Sequence, residues 1–122
     1  PLVPIPGPAA LIAALSVSGL PTDRFVFEGF LPRKGGKRRK RLESLKEEKR
    51  TVILYESPHR LIRLLEEIQT VLGKNRPIVV AKELTKLHEE FCRGKVEEVL
   101  EKLKGKKVLG EQAVLIAGSS PL

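Results

Sequence analysis

The sequence predicts an α/β fold in which helices flank a mixed sheet of about five strands. Three short apolar runs rich in Val and Ile, at 51–55, 78–81 and 113–117, have the pattern of strands covered on both faces. Two segments between them repeat apolar residues at the spacing of an α-helix. Strands and helices that alternate within 122 residues are typical of one α/β domain with its own core.

The first residues are dense in proline, which predicts a stiff interdomain linker over 1–7 and the domain proper over 8–122. An apolar segment then predicts a helix over 9–17, which begins near Pro8 and ends at Gly19. Because this helix is apolar nearly all round, we expect it to be deeply buried or to pack on a partner surface. The sequence contains no methionine, so we expect it to be part of a longer protein.

Phenylalanine at alternate positions predicts a strand over 24–30 with one covered face. A charged segment over 39–49 predicts a short helix that Leu42 and Leu45 anchor to the core. A further strand is expected over 89–93. The predicted order is therefore strand, helix, strand, helix, strand, strand, helix, strand.

The two central helices are predicted from apolar residues that share one side. The first helix has Leu61, Leu64, Leu65, Ile68, Val71 and Leu72 on that side. The second helix has Val96, Val99, Leu100 and Leu103, with Gly105 as its stop.

Positive charge is concentrated in one stretch of the chain. The formal net charge is +8, and positions 33–50 carry +7 of it. Such a field favours a polyanion such as nucleic acid. The alternatives are an anionic membrane surface or a solvated loop that only aids solubility. With Gly35 and Gly36 as a flexible hinge, the candidate nucleic-acid contacts are Arg33, Lys34, Lys37, Arg38, Arg39, Lys40 and Arg41.

The single cysteine, Cys92, cannot form an internal disulfide, and the sequence has neither a signal peptide nor an apolar stretch of membrane-spanning length. We therefore expect a cytoplasmic protein with no membrane partner. Two histidines and one cysteine at these spacings do not make a zinc site, so no metal is expected. The glycines before Lys37 lack the spacing of a P-loop, and Ser57 lacks the glycine-rich elbow of a hydrolase.

Two polar segments follow predicted strands, where ligands bind in open α/β sheets. In ILYESPHR, Ser57 is placed to cap a helix and Pro58 to begin it, so that the exposed N–H groups face a carboxylate or phosphate. The same text also fits an ordinary turn without a ligand. In AKELTKLHEEFCRG, the candidate acid–base residues are Glu83, His88 and Glu89, and the catalytic base stays unassigned.

Three segments in order resemble the C-terminal half of the bacterial small-subunit ribosomal RNA (cytidine-2'-O)-methyltransferases. They are VPIPGPAALIAALSVSGLPTDRFVFEGFLPRKGGKRRKRLESL, ILYESPHRL and VVAKELTKLHEEFCRG. This family lies in the tetrapyrrole methylase superfamily, also called class III S-adenosylmethionine-dependent methyltransferases. The resemblance covers essentially the whole chain.

The resemblance implies S-adenosylmethionine as cofactor, held between this domain and an N-terminal domain, in a homodimer that acts on ribosomal RNA or the small ribosomal subunit. The implied cofactor-binding residues are Tyr55, Glu56, Ser57, Pro58, Leu84, Ala117 and Gly118, and we expect the last two to lie close to the turn of the first four. It also implies that a whole N-terminal domain is absent here, that the chain is inactive alone and that its basic stretch holds RNA phosphates. The alternatives are a methyltransferase acting on a tetrapyrrole and a non-enzymatic RNA-binding module; an aromatic content of 4% is low for the latter.

Overall fold

The computed structural model describes residues 19–20, 24–33, 35–82, 91–106, 110 and 112–119. The predicted linker over 1–7 and helix over 9–17 lie outside these residues. The described elements are β1 (Phe25–Phe30), α1 (Gly35–Ser44), β2 (Thr51–Glu56), α2 (Leu61–Leu72), β3 (Pro77–Lys82), β4 (Phe91–Lys95), α3 (Val96–Leu103) and β5 (Gln112–Ile116). Their order confirms the predicted order of strands and helices.

The five strands form one mixed sheet in the order β1-β2-β5-β3-β4. The β1–β2 pair is parallel, whereas β5 is antiparallel to both β2 and β3, and β3 is antiparallel to β4. The chain therefore places its last strand in the middle of the sheet, where all five β5 residues are buried. This confirms the predicted α/β class and the five-stranded mixed sheet.

The two faces of the sheet are covered differently. One face carries Val52, Leu54, Val80 and Val114 and belongs to the main core, which α1, α2 and α3 complete. The apolar side of α2 alone contributes Leu61, Leu64, Leu65, Ile68 and Val71, all buried. Burying such a side chain contributes about 2 kcal/mol, so α2 is firmly held against the sheet. The other face carries a smaller cluster of buried residues, namely Ile53, Val79, Ala81, Ala113 and Leu115.

The helix α1 differs from its prediction, because it begins at Gly35 and replaces the expected flexible arm. Gly35 has a φ of +79°, which turns the chain into the helix. A short 3₁₀ turn, Leu45–Glu47, continues it. The buried positions of this segment are Arg38, Leu42 and Leu45, one turn apart, so the helix has a core-facing side after all. Because the first of these positions is an arginine, the core-facing side of the helix cannot be recognised from the sequence.

Arg76, which precedes β3, forms hydrogen bonds to two other segments of the chain at one end of the sheet. Its Nη2 donates to the carbonyl oxygens of Leu45 (3.0 Å) and Lys46 (3.1 Å), and its Nε donates to that of Ala117 (3.1 Å). Burial lowers the pKa of the Arg76 guanidinium. This arginine thus joins the end of the first helical segment to the chain that leaves β5.

Candidate functional site

The candidate site begins where β2 ends. Glu56 is the last residue of β2 and is only 6% exposed. Its Oε1 accepts a hydrogen bond from the backbone N–H of Ser57 (3.0 Å). Pro58 then starts a 3₁₀ turn, Pro58–Arg60, as expected for proline at a first helical position. Ser57 does occupy the N-cap position, but its side chain makes no capping hydrogen bond, so that part of the prediction is wrong.

The strand register places the last residues of β2 and β3 at the same end of the sheet. Glu56 pairs with Gln112, and on the other side of β5 Lys82 pairs with the same residue. The two predicted ligand segments therefore leave the sheet on either side of the start of β5. Of the residues that follow β3, the candidates Glu83, Leu84, His88 and Glu89 lie outside the described residues.

Ala117 and Gly118 lie at the opposite end of the strands, which corrects the expectation that they lie close to the β2 turn. Tyr55 pairs with Ala113, and Ala117 is four residues, or roughly 13 Å, farther along the extended chain. The backbone N–H of Ala117 donates to the carbonyl oxygen of Pro77, the first residue of β3 (2.9 Å). Because β5 runs antiparallel to β2, its first residue and not its last lies at the candidate site.

Gly118 has a packing role at that end of the sheet. A Cβ atom placed on Gly118 would lie 2.0 Å from the carbonyl oxygen of Lys49, far inside van der Waals contact. The neighbouring Ser119 donates its backbone N–H to the carbonyl oxygen of Glu48 (2.7 Å). The absence of a side chain at Gly118 therefore allows two backbone segments to meet.

The basic residues of α1 divide into exposed and engaged cations. Lys37 and Lys40 are exposed and form no ion pair with any other residue that the structure describes. Arg39 is exposed and pairs with Glu43 (3.3 Å). Arg41 pairs with the carboxylate of Glu28 in β1, and this hydrogen bond raises the pKa of Arg41.

The cations before α1 are less fully described. Arg33 is exposed, and its carbonyl oxygen accepts a hydrogen bond from Nη2 of Arg60 (3.0 Å). This bond ties the start of the basic stretch to the turn that follows β2. Lys34 lies outside the described residues.

Arg38 is the exception among the candidate RNA contacts, because its side chain is only 7% exposed. Its Nη2 lies 2.6 Å from Oε1 of Glu67 on α2 and 3.6 Å from Oε2 of Glu56. Hydrogen bonding to Glu67 raises the pKa of Arg38, against an opposing effect of burial. Unlike Lys37, Arg39 and Lys40, Arg38 is therefore buried and engaged by carboxylates.

A set of aromatic side chains lies beside the β2 turn, on the second face of the sheet. Phe25, Phe27 and Phe30 are 46%, 51% and 56% exposed, so the phenylalanine side is not the covered face that the alternation in β1 predicts. The Phe27 and Phe30 rings contact the Tyr55 ring, with centroids 5.4 Å and 5.7 Å apart. The covered residue of β1 is instead Val26, which packs against the main core.

A β-bulge in β1 brings Phe30 into this aromatic patch, defined as Phe25, Phe27, Phe30 and Tyr55. The register with β2 shifts between Phe27 and Gly29, so Phe27 pairs with Ile53 and Phe30 pairs with Tyr55. Gly29 has a φ of +73°. The sequence reveals the phenylalanines, whereas the bulge becomes visible only once the strands are paired.

The residues at the β2 turn form a partly exposed surface. Tyr55, Ser57 and Pro58 are half-buried, so the turn presents an open surface of ring, hydroxyl and backbone groups. Across the described parts of the chain, no group of three or more His, Cys, Asp or Glu side chains is placed to hold a metal ion. Within the same residues, no helix has the length and apolar character needed to cross a bilayer.

Comparison with curated proteins gives close relatives of one kind. The chain is 52% identical over 120 residues to a protein of Synechocystis named Ribosomal RNA small subunit methyltransferase I, matching 98% of this chain and 43% of that protein. A protein of the same name from Thermotoga maritima is 49% identical, matching 93% of this chain and 50% of that protein. The chain thus spans about half the length of these relatives.

Solved structures with the same fold share little sequence with this chain. The cobalt precorrin-4 methyltransferase of cobalamin biosynthesis aligns with a TM-score of 0.62 at 19% identity, over 89% of this chain and 47% of that one. Uroporphyrin-III C-methyl transferase from Thermus thermophilus, complexed with S-adenosyl homocysteine, aligns with a TM-score of 0.53 at 22% identity, over 84% of this chain and 48% of that one. Residues 1–100 match the family described as Tetrapyrrole (Corrin/Porphyrin) Methylases. The chain belongs to the Tetrapyrrole (Corrin/Porphyrin) Methylase family.

Proposed function

We propose that this chain is the C-terminal half of an S-adenosylmethionine-dependent methyltransferase that methylates the ribose 2'-oxygen of a cytidine in small-subunit ribosomal RNA. The carrying observation is a methylase domain whose helix α1 presents the exposed cations Lys37, Arg39 and Lys40. Phosphate contacts through such side chains supply RNA affinity without reading sequence. The names of the close relatives support the same substrate.

The cofactor is proposed to lie against the β2 turn. Tyr55, Ser57 and Pro58 form a half-buried surface, and β3 ends at the same end of the sheet as β2. A nucleoside held there needs apolar packing and backbone hydrogen bonds more than reactive side chains. Bound S-adenosylmethionine supplies the electrophilic methyl group.

The reaction is an in-line attack of the ribose 2'-oxygen on the methyl carbon, with departure of the thioether. The new bond is oxygen to carbon and the bond that breaks is carbon to sulfur, while a base takes the hydroxyl proton. Positioning and exclusion of water supply much of the rate of such a transfer. Glu83, His88 and Glu89 remain candidates for the base in this chain.

The two-domain arrangement is also part of the proposal. The exposed aromatic patch leaves large apolar side chains open to solvent, which is typical of a surface that another body covers. We assign that role to an N-terminal domain, because the relatives are about twice as long as this chain. A homodimer and a cytoplasmic location complete the proposal. The isolated chain would then be inactive, since it provides one wall of the cofactor site.

The RNA contact is tested with Lys37→Gln and Lys40→Gln in the intact protein. Each change should weaken binding of a small-subunit RNA fragment and reduce the slope of log Kd against log salt by about one, since one phosphate contact is lost. Fluorescence anisotropy over a salt series measures both quantities. Affinity for S-adenosylhomocysteine should be unchanged.

The matched control replaces exposed lysines far along the chain, Lys102→Gln and Lys106→Gln, which remove the same charge from another part of the surface. If these controls reduce the salt slope as much as the α1 variants do, α1 is not the RNA-binding surface. A tetrapyrrole methyltransferase would instead show full activity on its small substrate when both α1 lysines are replaced.

A further inference from the structure

The buried cluster of Arg38, Glu56 and Glu67 connects the basic helix to the proposed cofactor turn. Arg38 lies on α1, Glu67 on α2, and Glu56 at the end of β2. The guanidinium Nε donates to both carboxylate oxygens of Glu67 (3.0 and 3.1 Å), and Nη2 donates to Oε1 (2.6 Å). Nη1 donates to the carbonyl oxygen of Pro32 (3.1 Å). These bonds leave Arg38 little capacity to hold an RNA phosphate.

The two oxygens of Glu56 face different groups. Oε1 accepts the backbone N–H of Ser57 (3.0 Å), and Oε2 faces Arg38 at 3.6 Å, an ion-pair distance rather than a hydrogen bond. Arg38 is the only cation that forms an ion pair with Glu56 among the residues that the structure describes. The carboxylate that fixes the first backbone group of the turn is therefore itself held by Arg38.

Burial makes this arrangement sensitive to the loss of one partner. The side chains of Arg38 and Glu56 are 7% and 9% exposed, so neither charge is well solvated. Without Arg38, the buried carboxylate of Glu56 loses its compensating charge, which favours its rotation toward water. Such a rotation moves the acceptor of the Ser57 N–H and thus changes the path of the turn.

We propose that Arg38 is a positioning residue for the cofactor-binding turn of Tyr55, Glu56, Ser57 and Pro58, and that it does not contact RNA. The inference rests on the proposed function, because it takes this turn as the site of the methyl donor. Arg38 acts through Glu56, whereas its neighbours Lys37, Arg39 and Lys40 face solvent. One helix therefore carries two separate tasks on its two sides.

The test compares Arg38→Met with Lys37→Gln in the intact protein. Arg38→Met keeps an unbranched side chain and removes the guanidinium, so affinity for S-adenosylhomocysteine should fall about tenfold by calorimetry. The slope of log Kd against log salt for RNA should stay as in the unmodified protein. Lys37→Gln should give the reverse pattern. Circular dichroism at the assay temperature establishes that each variant is folded.

Two further variants keep the test decisive if Arg38→Met does not fold. Arg38→Lys retains the positive charge but not the fork, so affinity for S-adenosylhomocysteine should be intermediate. The double variant Arg38→Met with Glu56→Gln removes both buried charges and should fold. The two changes should be strongly non-additive in their effect on S-adenosylhomocysteine binding, because they break one interaction. Additive effects would overturn the proposal.

The result also separates this inference from the proposed function. If Tyr55→Ala weakens S-adenosylhomocysteine binding while a folded Arg38→Met variant binds it normally, the cofactor site stands and the role of Arg38 is refuted. If both variants bind it normally, the cofactor does not lie at the β2 turn. A reduced RNA salt slope in Arg38→Met, equal to that of Lys37→Gln, would make Arg38 a phosphate contact and refute the inference.

Discussion

At the scale of single residues, the same residue type serves different purposes within a few positions. Arg38 is buried among carboxylates, while Lys37 and Lys40 on the same helix face solvent. The sequence predicts all of them as RNA contacts, because charge density cannot tell which side of a helix faces the core. The partner that identifies Arg38 is Glu67, 29 residues later, and nothing local marks that glutamate.

Gly118 provides a stability prediction at this scale. Gly118→Ala should lower the free energy of unfolding by about 2 kcal/mol, because its Cβ meets the backbone oxygen of Lys49 and the two segments must separate. Urea unfolding followed by circular dichroism measures the change. Gly36→Ala is the control, since no atom lies within 4 Å of its added Cβ and alanine favours a helix. If both variants unfold at the same urea concentration as the parent, the close contact at Gly118 is not restrictive.

Glu48 provides a prediction about pH. Hydrogen bonds from Arg50 lower the pKa of Glu48 from 4.5 to about 2. A carboxyl with a lowered pKa in the folded state stabilises the fold above its unfolded value, and this contribution disappears as pH falls from about 4.5 towards 2. Because the Arg50 side chain is 51% exposed, solvent screening limits the effect to under about 1 kcal/mol.

The measurement is the free energy of unfolding of the parent and of Glu48→Gln at several pH values. The parent should be the more stable at pH 6, and the difference should shrink steadily below pH 4.5. Glu66→Gln removes one carboxylate at an exposed position on α2 and is the control for the loss of a negative charge. A difference that stays constant down to pH 2.5 would contradict the assigned interaction.

At the scale of the elements, α2 and β5 are the best predicted parts of the chain. The helix α2 is marked by an apolar stripe with helical spacing, and β5 is marked by an unbroken apolar run. Each pattern lies within one short segment of the sequence. The helix α1 is predicted four residues too late, because its first turn consists of glycines and cations that resemble a loop. For β1 the sequence predicts one covered face but does not identify it, because alternation defines two faces and not which of them the helices cover.

The position of Ala117 and Gly118 shows a limit of reading a site from the sequence alone. A strand that follows the chain order β3, β4, β5 can enter the sheet in either direction, and its apolar residues are the same in both cases. Because β5 runs antiparallel to β2, its end lies beside Thr51 and Pro77 rather than beside the candidate turn. The ends of β2 and β3 were predictable, because an apolar run followed by polar residues marks each of them.

At the scale of the whole molecule, the aromatic patch and the short span of the chain lead to one prediction. The chain alone should bind S-adenosylhomocysteine weakly, with a Kd at least about 100-fold above that of a chimaera carrying the remaining half of the Thermotoga maritima relative. A pocket with one wall buries only part of the ligand. Calorimetric titration of both proteins measures the difference.

The control is a chimaera with Phe27→Ser, in which the exposed patch should accept the added half less well. Binding should then approach that of the isolated chain, because Phe27 is 51% exposed here and would be covered there. Equal, tight binding by the isolated chain and the unmodified chimaera would show that this domain forms the whole pocket by itself.

The bulge at Glu28 and Gly29 has a consequence for how the chain tolerates length changes. It adds one unpaired position to β1, so the alternation before and after it is out of step. Removing one residue of the bulge would make the pairing with β2 regular and would leave Phe30 opposite Tyr55, on the same face as Phe27. A regular strand of unchanged length would instead place Phe30 opposite Glu56 and turn its ring towards the helix-covered face, so β1 should tolerate a one-residue deletion at the bulge better than the loss of the bulge itself.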